Sequence, residues 1–139
     1  MTENEIATEI VDAAYKIHSQ IGPGLLESAY EAMLSHEIRK RGLAVVCQQP
    51  IPVLWDGVQL EVGFRADIIV EDKVIVELKS VEALAPVHYK QVLTYLRLTH
   101  KRLGLLINFG DAFFKRGVKR VANEMPNDRQ ATPKVATGD

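Results

Sequence analysis

The chain has 139 residues, of which 47% are hydrophobic, and its formal charge at pH 7 is −1. The length and hydrophobic content predict one domain with a substantial core over residues 1–125. The net charge excludes a protein whose overall charge attracts nucleic acid, so an anionic partner would need a local basic patch. The single cysteine, Cys47, excludes an internal disulfide and a cysteine-rich zinc site, while the lack of a secretory leader and of a long apolar run predicts a soluble, cytoplasmic protein.

Two amphipathic helices are predicted at the start of the chain. Apolar side chains recur at intervals of three and four residues over positions 3–21, which is the spacing of one helix face. A glycine, a proline and a glycine at 22–24 end this helix, and the same spacing returns in a second helix that Gly42 terminates. The apolar positions of the second helix are Leu26, Tyr30, Met33, Leu34 and Ile38.

Three antiparallel strands are predicted next. Residues 43–55 are rich in valine and other apolar types, although two prolines near the middle indicate an edge strand or a bulge. An Asp-Gly pair at 56–57 is a hairpin signal that leads into the second strand, 58–70. The short polar turn 71–73 then connects to the third strand, 74–79, which forms a hairpin with the second.

The remainder is predicted to contain a crossover helix at 87–99 and a buried strand at 103–109. Because a helix precedes it, this strand is expected to run parallel to its neighbour. Residues 113–122 are assigned to a last short strand or a sheet edge, and the polar composition of 126–139 predicts a flexible tail. The fold class is therefore α/β in the order α, α, β, β, β, α, β, with a mixed sheet.

Charged residues inside apolar strands form the most informative candidate site. Glu77 and Lys79 share one face of the third strand, and Asp67 of the preceding strand is expected roughly opposite Glu77, with Cβ atoms about 4.5–5.5 Å apart. Hard oxygen ligands favour Mg²⁺ or Mn²⁺, beside which Lys79 could orient an attacking water and offset charge on a phosphoryl group. The alternative is a structural ion pair on a solvent-facing sheet.

The start of the second helix holds another candidate. Segment 24–30 has the sequence GLLESAY, in which Glu27 and Tyr30 are spaced to share one side of the helix. A carboxylate in the first turn is favoured by the helix dipole. The residues alone therefore favour a capping arrangement over a functional one.

Polar residues on the crossover helix and a basic cluster complete the candidates. His88, Gln91 and Tyr95 lie on one stripe that faces either a cleft or solvent, and His88 is interpreted as a surface histidine because no second histidine or cysteine lies nearby. The last candidate is the basic cluster of Lys115, Arg116, Lys119 and Arg120. It could make weak contacts with a nucleic-acid backbone, and the alternative is a solvated face without function.

The order of these motifs resembles the PD-(D/E)XK nuclease superfamily. Asp67 is followed, after a hairpin, by Glu77, Leu78 and Lys79, which is similar to the motif that names the superfamily. Ala66 stands where that name has proline, a variation that leaves the carboxylate in place. The resemblance implies a restriction-endonuclease-like core.

Two further matches extend the resemblance over most of the chain. GLLESAY at 24–30 is similar to the signature of the small bacterial GxxExxY protein family, and the similarity continues over about residues 17–123. Gln91 and Tyr95 resemble the QxxxY element that follows the catalytic lysine in nucleases of the RecB type. In those nucleases the helix helps to position the nucleic acid and the active site.

The resemblance implies a site that binds Mg²⁺, or Mn²⁺. It assigns Asp67 and Glu77 to the metal, with the carbonyl of Leu78 as a further ligand. Glu27 would complete the site directly or through water, which reverses the capping interpretation. Lys79 would assist the nucleophile.

The function predicted from the resemblance is a metal-dependent phosphodiesterase that hydrolyses nucleic acid, with DNA expected as the substrate. Gln91, Tyr95 and Tyr30 would position that substrate, and a homodimer is compatible with so small a nuclease core. One alternative is a non-catalytic module that binds nucleic acid or protein on a nuclease fold. Another is a structural protein in which the charged strand pair only fixes the sheet register.

Overall fold

Residues 1–124, described by a computed structural model, form four helices and seven strands. The helices are α1 (Glu3–Ile21), α2 (Glu27–Lys40), α3 (Pro86–Thr99) and α4 (Phe114–Gly117). The strands are β1 (Val45–Pro50), β2 (Val53–Trp55), β3 (Val58–Leu60), β4 (Arg65–Val70), β5 (Val74–Lys79), β6 (Leu103–Asn108) and β7 (Val118–Ala122). The predicted tail at 126–139 lies outside the described residues.

The strand order confirms the predicted α/β class with a mixed sheet. The main sheet has the order β1-β4-β5-β6-β7, in which β4 pairs antiparallel with both β1 and β5. Strand β6 runs parallel to β5 after the crossover through α3, as predicted. Of the segment predicted as a last strand, 113–122, only the second half is strand: β7 forms an antiparallel edge, and the one-turn helix α4 precedes it.

Two predicted strands are each divided. The strand predicted at 43–55 ends at Pro50 and resumes at Val53, because proline has no N–H to donate to a sheet. The strand predicted at 58–70 is interrupted near Gly63, whose φ of 83° lies in the left-handed region. The short strands β2 and β3 consequently form a separate two-stranded sheet around the predicted Asp-Gly turn.

Helices cover both faces of the main sheet. Helices α1 and α2 pack on one face and α3 on the other, so β5 is buried on both sides. Val76 and Leu78 belong to the core under α1 and α2, whereas Ile75 belongs to the core under α3. The alternation of a strand then places Glu77 and Lys79 toward α3. No helix within residues 1–124 combines the length and apolar character that a membrane crossing needs.

Tyr30 anchors the loop between α1 and α2. Its side chain is fully buried, and its ring stacks on Phe109 with the centroids 4.3 Å apart. The hydroxyl donates to the carbonyl of Gly22 at 2.5 Å and accepts from the backbone N–H of Leu25 at 3.2 Å. The tyrosine of GLLESAY therefore holds the entry into α2, and its predicted substrate-positioning role stays a prediction.

Replacing Tyr30 with Phe is expected to lower the free energy of unfolding by about 1–2 kcal/mol, measured by urea denaturation. The substitution keeps the ring stacking but removes the hydrogen-bond partner of two backbone groups. Tyr15→Phe is the matched control, because Tyr15 is exposed and its hydroxyl makes no hydrogen bond within residues 1–124. Equal losses in the two variants would contradict the anchoring role.

Candidate active site

Asp67 and Glu77 meet where β4 and β5 separate. The regular pairing of these strands ends at Ile68 and Val76, and side chains then replace the missing backbone bonds. The N–H of Asp67 donates to Glu77 Oε1 at 3.2 Å, and the N–H of Leu78 donates to Asp67 Oδ2 at 2.8 Å. The two carboxyl groups are thus adjacent, in the facing arrangement that the hairpin predicted.

Glu77 is only 4% exposed, and its environment favours the protonated form. Burial raises its pKa to about 9, with further increases from the negative charge of Asp67 and from a hydrogen bond with the Asp67 side chain. The backbone N–H of Asp67 and the charge of Lys79 act in the opposite direction but do not cancel the rise. Two ionised carboxylates side by side are therefore disfavoured in the metal-free site.

Lys79 lies at the carboxyl end of β5, where the chain leaves the sheet. Its side chain is partly buried, and its backbone carbonyl accepts from the N–H of Phe109 at 2.9 Å. The charge of Lys79 lowers the pKa of Glu77, which places the ammonium group within electrostatic range of that carboxylate. The structure thus brings together three of the predicted residues, Asp67, Glu77 and Lys79.

Glu31 of α2 approaches the same site through Gln48 of β1. The Nε2 atom of Gln48 donates to Glu31 Oε1 at 2.6 Å and to Asp67 Oδ1 at 3.3 Å. Burial raises the pKa of Glu31, the hydrogen bond from Gln48 opposes that rise, and the charge of Asp67 adds to it. Neither Glu31 nor Gln48 was predicted from the sequence. A signal for Glu31 exists, since it lies four residues after Glu27 on one side of the helix.

Glu27 is exposed in the first turn of α2, and no hydrogen bond or ion pair described within residues 1–124 connects it to Asp67 or Glu77. A hydrogen bond of 2.7 Å from Ser80 Oγ to the carbonyl of Leu25 nevertheless holds the start of this helix beside the end of β5. The metal-binding role of Glu27 stays a prediction. The α2 carboxylate that is joined to Asp67, through one amide, is Glu31.

Tyr95 contributes the α3 side of the site. It is 4% exposed, and its pKa is raised first by burial and then by the negative charge of Glu77. Gln91 Nε2 donates to the Tyr95 hydroxyl at 3.0 Å, so these residues share one side of the helix as predicted. His88 has a structural contact instead: its Nδ1 accepts from the N–H of Ala85 at the start of α3.

The basic cluster contacts a different region. Arg116 pairs with Asp111 at 3.4 Å, and Arg120 donates to Asn4 Oδ1 at 2.7 Å. A groove of about 870 Å³ between α1 and β7 is lined by Lys115, Lys119 and Arg120 but by none of the site carboxylates. Backbone contact by this cluster therefore stays a prediction for a surface apart from the site.

The chemistry of the site is that of a paired carboxyl group beside an amine. Within residues 1–124, no three histidine, cysteine, aspartate or glutamate side chains are grouped so that they could hold a metal ion. A cation held by Asp67 and Glu77 would thus take its other ligands from water or backbone oxygens, which is common for Mg²⁺.

Comparison with known proteins gives one family match. A family model described as the PD-(D/E)XK nuclease superfamily matches residues 4–121, which is most of the chain. No curated protein and no solved structure gives a significant match.

Proposed function

The chain belongs to the PD-(D/E)XK nuclease superfamily, and we propose that it is a metal-dependent phosphodiesterase that hydrolyses nucleic acid, with DNA as the substrate. Members of this superfamily are nucleases that generally use divalent metal ions. The observation that carries the proposal is the adjacency of Asp67 and Glu77 at the separation of β4 and β5, with Lys79 beside them.

The side chains at this point fit Mg²⁺ or Mn²⁺. Asp67 and Glu77 offer hard oxygen atoms, and the negative charge of Asp67 contributes, after burial, to the raised pKa of Glu77, so a divalent cation here would offset the repulsion between the two carboxylates. Asp67 and Glu77 would hold the ion. From the family motif we propose the carbonyl of Leu78 as a further ligand, and the carboxylate of Glu27 would complete the site through water.

The metal ion, Lys79, Gln91 and Tyr95 have different roles in the proposed reaction. A bound divalent ion supplies positive charge that polarises the phosphodiester and favours ionisation of water. Lys79 orients the attacking water and offsets the charge that develops on the phosphoryl oxygens. Gln91 is half-buried and can reach a substrate. Tyr95 is buried, and its hydroxyl holds the amide of Gln91 by accepting a hydrogen bond from Nε2. Gln91 is therefore the substrate contact, and Tyr95 positions it.

A non-catalytic binding module on the same fold is the second candidate. The net charge of −1 favours it, since a chain without overall positive charge is unusual for an independent nuclease. A binding module would retain nucleic-acid affinity but would cleave no substrate with metal present.

A homodimer is part of the nuclease proposal, because a second copy would allow so small a chain to enclose a duplex. Gel filtration with light scattering tests this oligomeric state.

Adding Mn²⁺ to the metal-free protein is expected to raise its melting temperature by roughly 5–10 °C at a concentration one hundredfold above Kd, because binding to the folded state alone stabilises it by about 2.7 kcal/mol. Asp67→Asn should abolish this shift. The matched control is Asp56→Asn, since Asp56 lies exposed at the turn between β2 and β3. A shift of equal size in parent and Asp67→Asn would contradict the metal site, as would no shift in the parent.

A further inference from the structure

Gln48 has a backbone conformation that is unusual for its place in the sheet. Its φ is 54°, in the left-handed region, although it lies in the middle of β1. Strand β1 pairs with β4 at Cys47 with Ile68 and at Gln49 with Ala66, so Gln48 stands opposite Asp67. A non-glycine residue held in this region costs about 1–3 kcal/mol, and such residues cluster at functional sites.

The left-handed backbone directs the Gln48 amide onto two carboxylates. Its Nε2 donates to Glu31 Oε1 at 2.6 Å and to Asp67 Oδ1 at 3.3 Å. The other oxygen of Asp67, Oδ2, already accepts from the N–H of Leu78. Both oxygens of Asp67 are therefore fixed, one by the backbone of β5 and the other by a side chain.

The two hydrogen bonds of the Gln48 amide stabilise the fold too little to offset the cost of its left-handed backbone. Gln48 is exposed, and hydrogen bonds between exposed side chains contribute little to folding because water competes for them. Glycine would adopt the same backbone conformation without a steric cost. A sequence selected only for stability would thus place glycine at position 48, so the amide has another use.

We propose that Gln48 is a positioning residue, which holds the carboxylate of Asp67 between β1 and α2 in the orientation that a divalent cation requires. Each carboxylate oxygen has more than one lone pair, so Asp67 Oδ1 can accept from Gln48 and still bind a cation. Groups that hydrogen-bond to a metal ligand in this manner typically change metal affinity 10–100-fold when they are removed. The inference rests on the proposed function, because it assumes that Asp67 is a ligand.

The test is calorimetric titration of the full chain with Mn²⁺. Gln48→Gly is expected to weaken binding about 10–100-fold, because Asp67 and Glu31 lose their shared donor. Its melting temperature in EDTA should not fall, because glycine relieves the left-handed strain. Gln48→Asn keeps an amide but is shorter by one methylene, so it cannot span both carboxylates and should also bind Mn²⁺ more weakly.

Asp56→Gly is the matched control, because Asp56 also has a φ of 54° but lies at the exposed turn between β2 and β3. It should bind Mn²⁺ like the parent. If Gln48→Gly and the parent bind with the same Kd, the positioning role is wrong while the metal site stands. A parent that binds no Mn²⁺ overturns the proposed function and the inference together. If Gln48→Gly fails to fold, the Kd of Gln48→Asn decides by the same criterion.

Discussion

Lys79→Ala is expected to reduce the cleavage of nucleic acid by about 10²–10³-fold, the loss typical when a preorganised donor to a developing charge is removed. The ammonium group lies within electrostatic range of Glu77, at the end of the strand that carries the site. Its removal takes away the group that orients water and offsets phosphoryl charge. It leaves the oxygen ligands in place, so Mn²⁺ should still raise the melting temperature of the variant.

The measurement is metal-dependent cleavage of single-stranded, duplex and branched forms of DNA and RNA. Lys40→Ala is the matched control, because Lys40 is exposed in the last turn of α2, at the opposite end of that helix from Glu27. The panel also separates the two candidate functions. Affinity for a substrate without cleavage by the parent would establish the binding module, and a parental rate in Lys79→Ala would remove Lys79 from the mechanism.

The central part of the site could be predicted because it depends on local geometry. Alternation along β5 places Glu77 and Lys79 on one face whatever the neighbouring strands do. The three-residue turn after β4 sets a register in which Ile68 pairs with Val76, so Asp67 and Glu77 are the next residues on the two strands. The parallel pairing of β6 followed similarly from an intervening helix, since a crossover of this kind returns the chain in the same direction.

The periphery of the site depends on contacts between distant segments, which the pattern along one chain does not contain. The position of Gln48 opposite Asp67 requires the β1–β4 register, and nothing local to β1 indicates it. The spacing of Tyr30 from Glu27 predicted only that the two share one side of α2, and the role of Tyr30 toward a substrate stays a prediction. In the structure Phe109, which directly follows β6, stacks on the ring of Tyr30 in the interior.

A proline explains why the strand predicted at 43–55 is divided. Apolar composition alone supported a continuous strand through 43–55, but a proline inside it removes a backbone donor, so the pairing of β1 stops and a separate hairpin begins. This hairpin exposes Leu54 and Trp55, at 68% and 72%. The sequence predicted the turn of the hairpin correctly, but its independence from the main sheet is a tertiary property.

Glu77→Gln is expected to have opposite effects on stability without and with metal. In the folded, metal-free protein, burial and then the charge of Asp67 raise the pKa of Glu77 to about 9, from the ordinary 4.5 of a glutamate in an unfolded chain. Over this pH range the folded state binds a proton on Glu77 that the unfolded state has lost. The stability that this proton provides is complete below the unfolded pKa of 4.5 and is lost as pH rises through the folded pKa of about 9. Glutamine mimics the protonated group and does not titrate.

Thermal melts in EDTA from pH 5 to pH 9 measure this effect. The parent should lose up to about 1.4 kcal/mol relative to Glu77→Gln for each pH unit in the window, so the variant becomes the more stable protein at pH 8. With saturating Mn²⁺ the order should reverse, because the variant lacks an ionisable ligand and should neither bind the ion nor cleave. Glu61→Gln, which changes an exposed carboxylate between β3 and β4, should follow the parent throughout. Parallel curves for Glu77→Gln and the parent in EDTA would mean that Glu77 is ionised in the folded protein, and the electrostatic argument for a cation at this site would then fail.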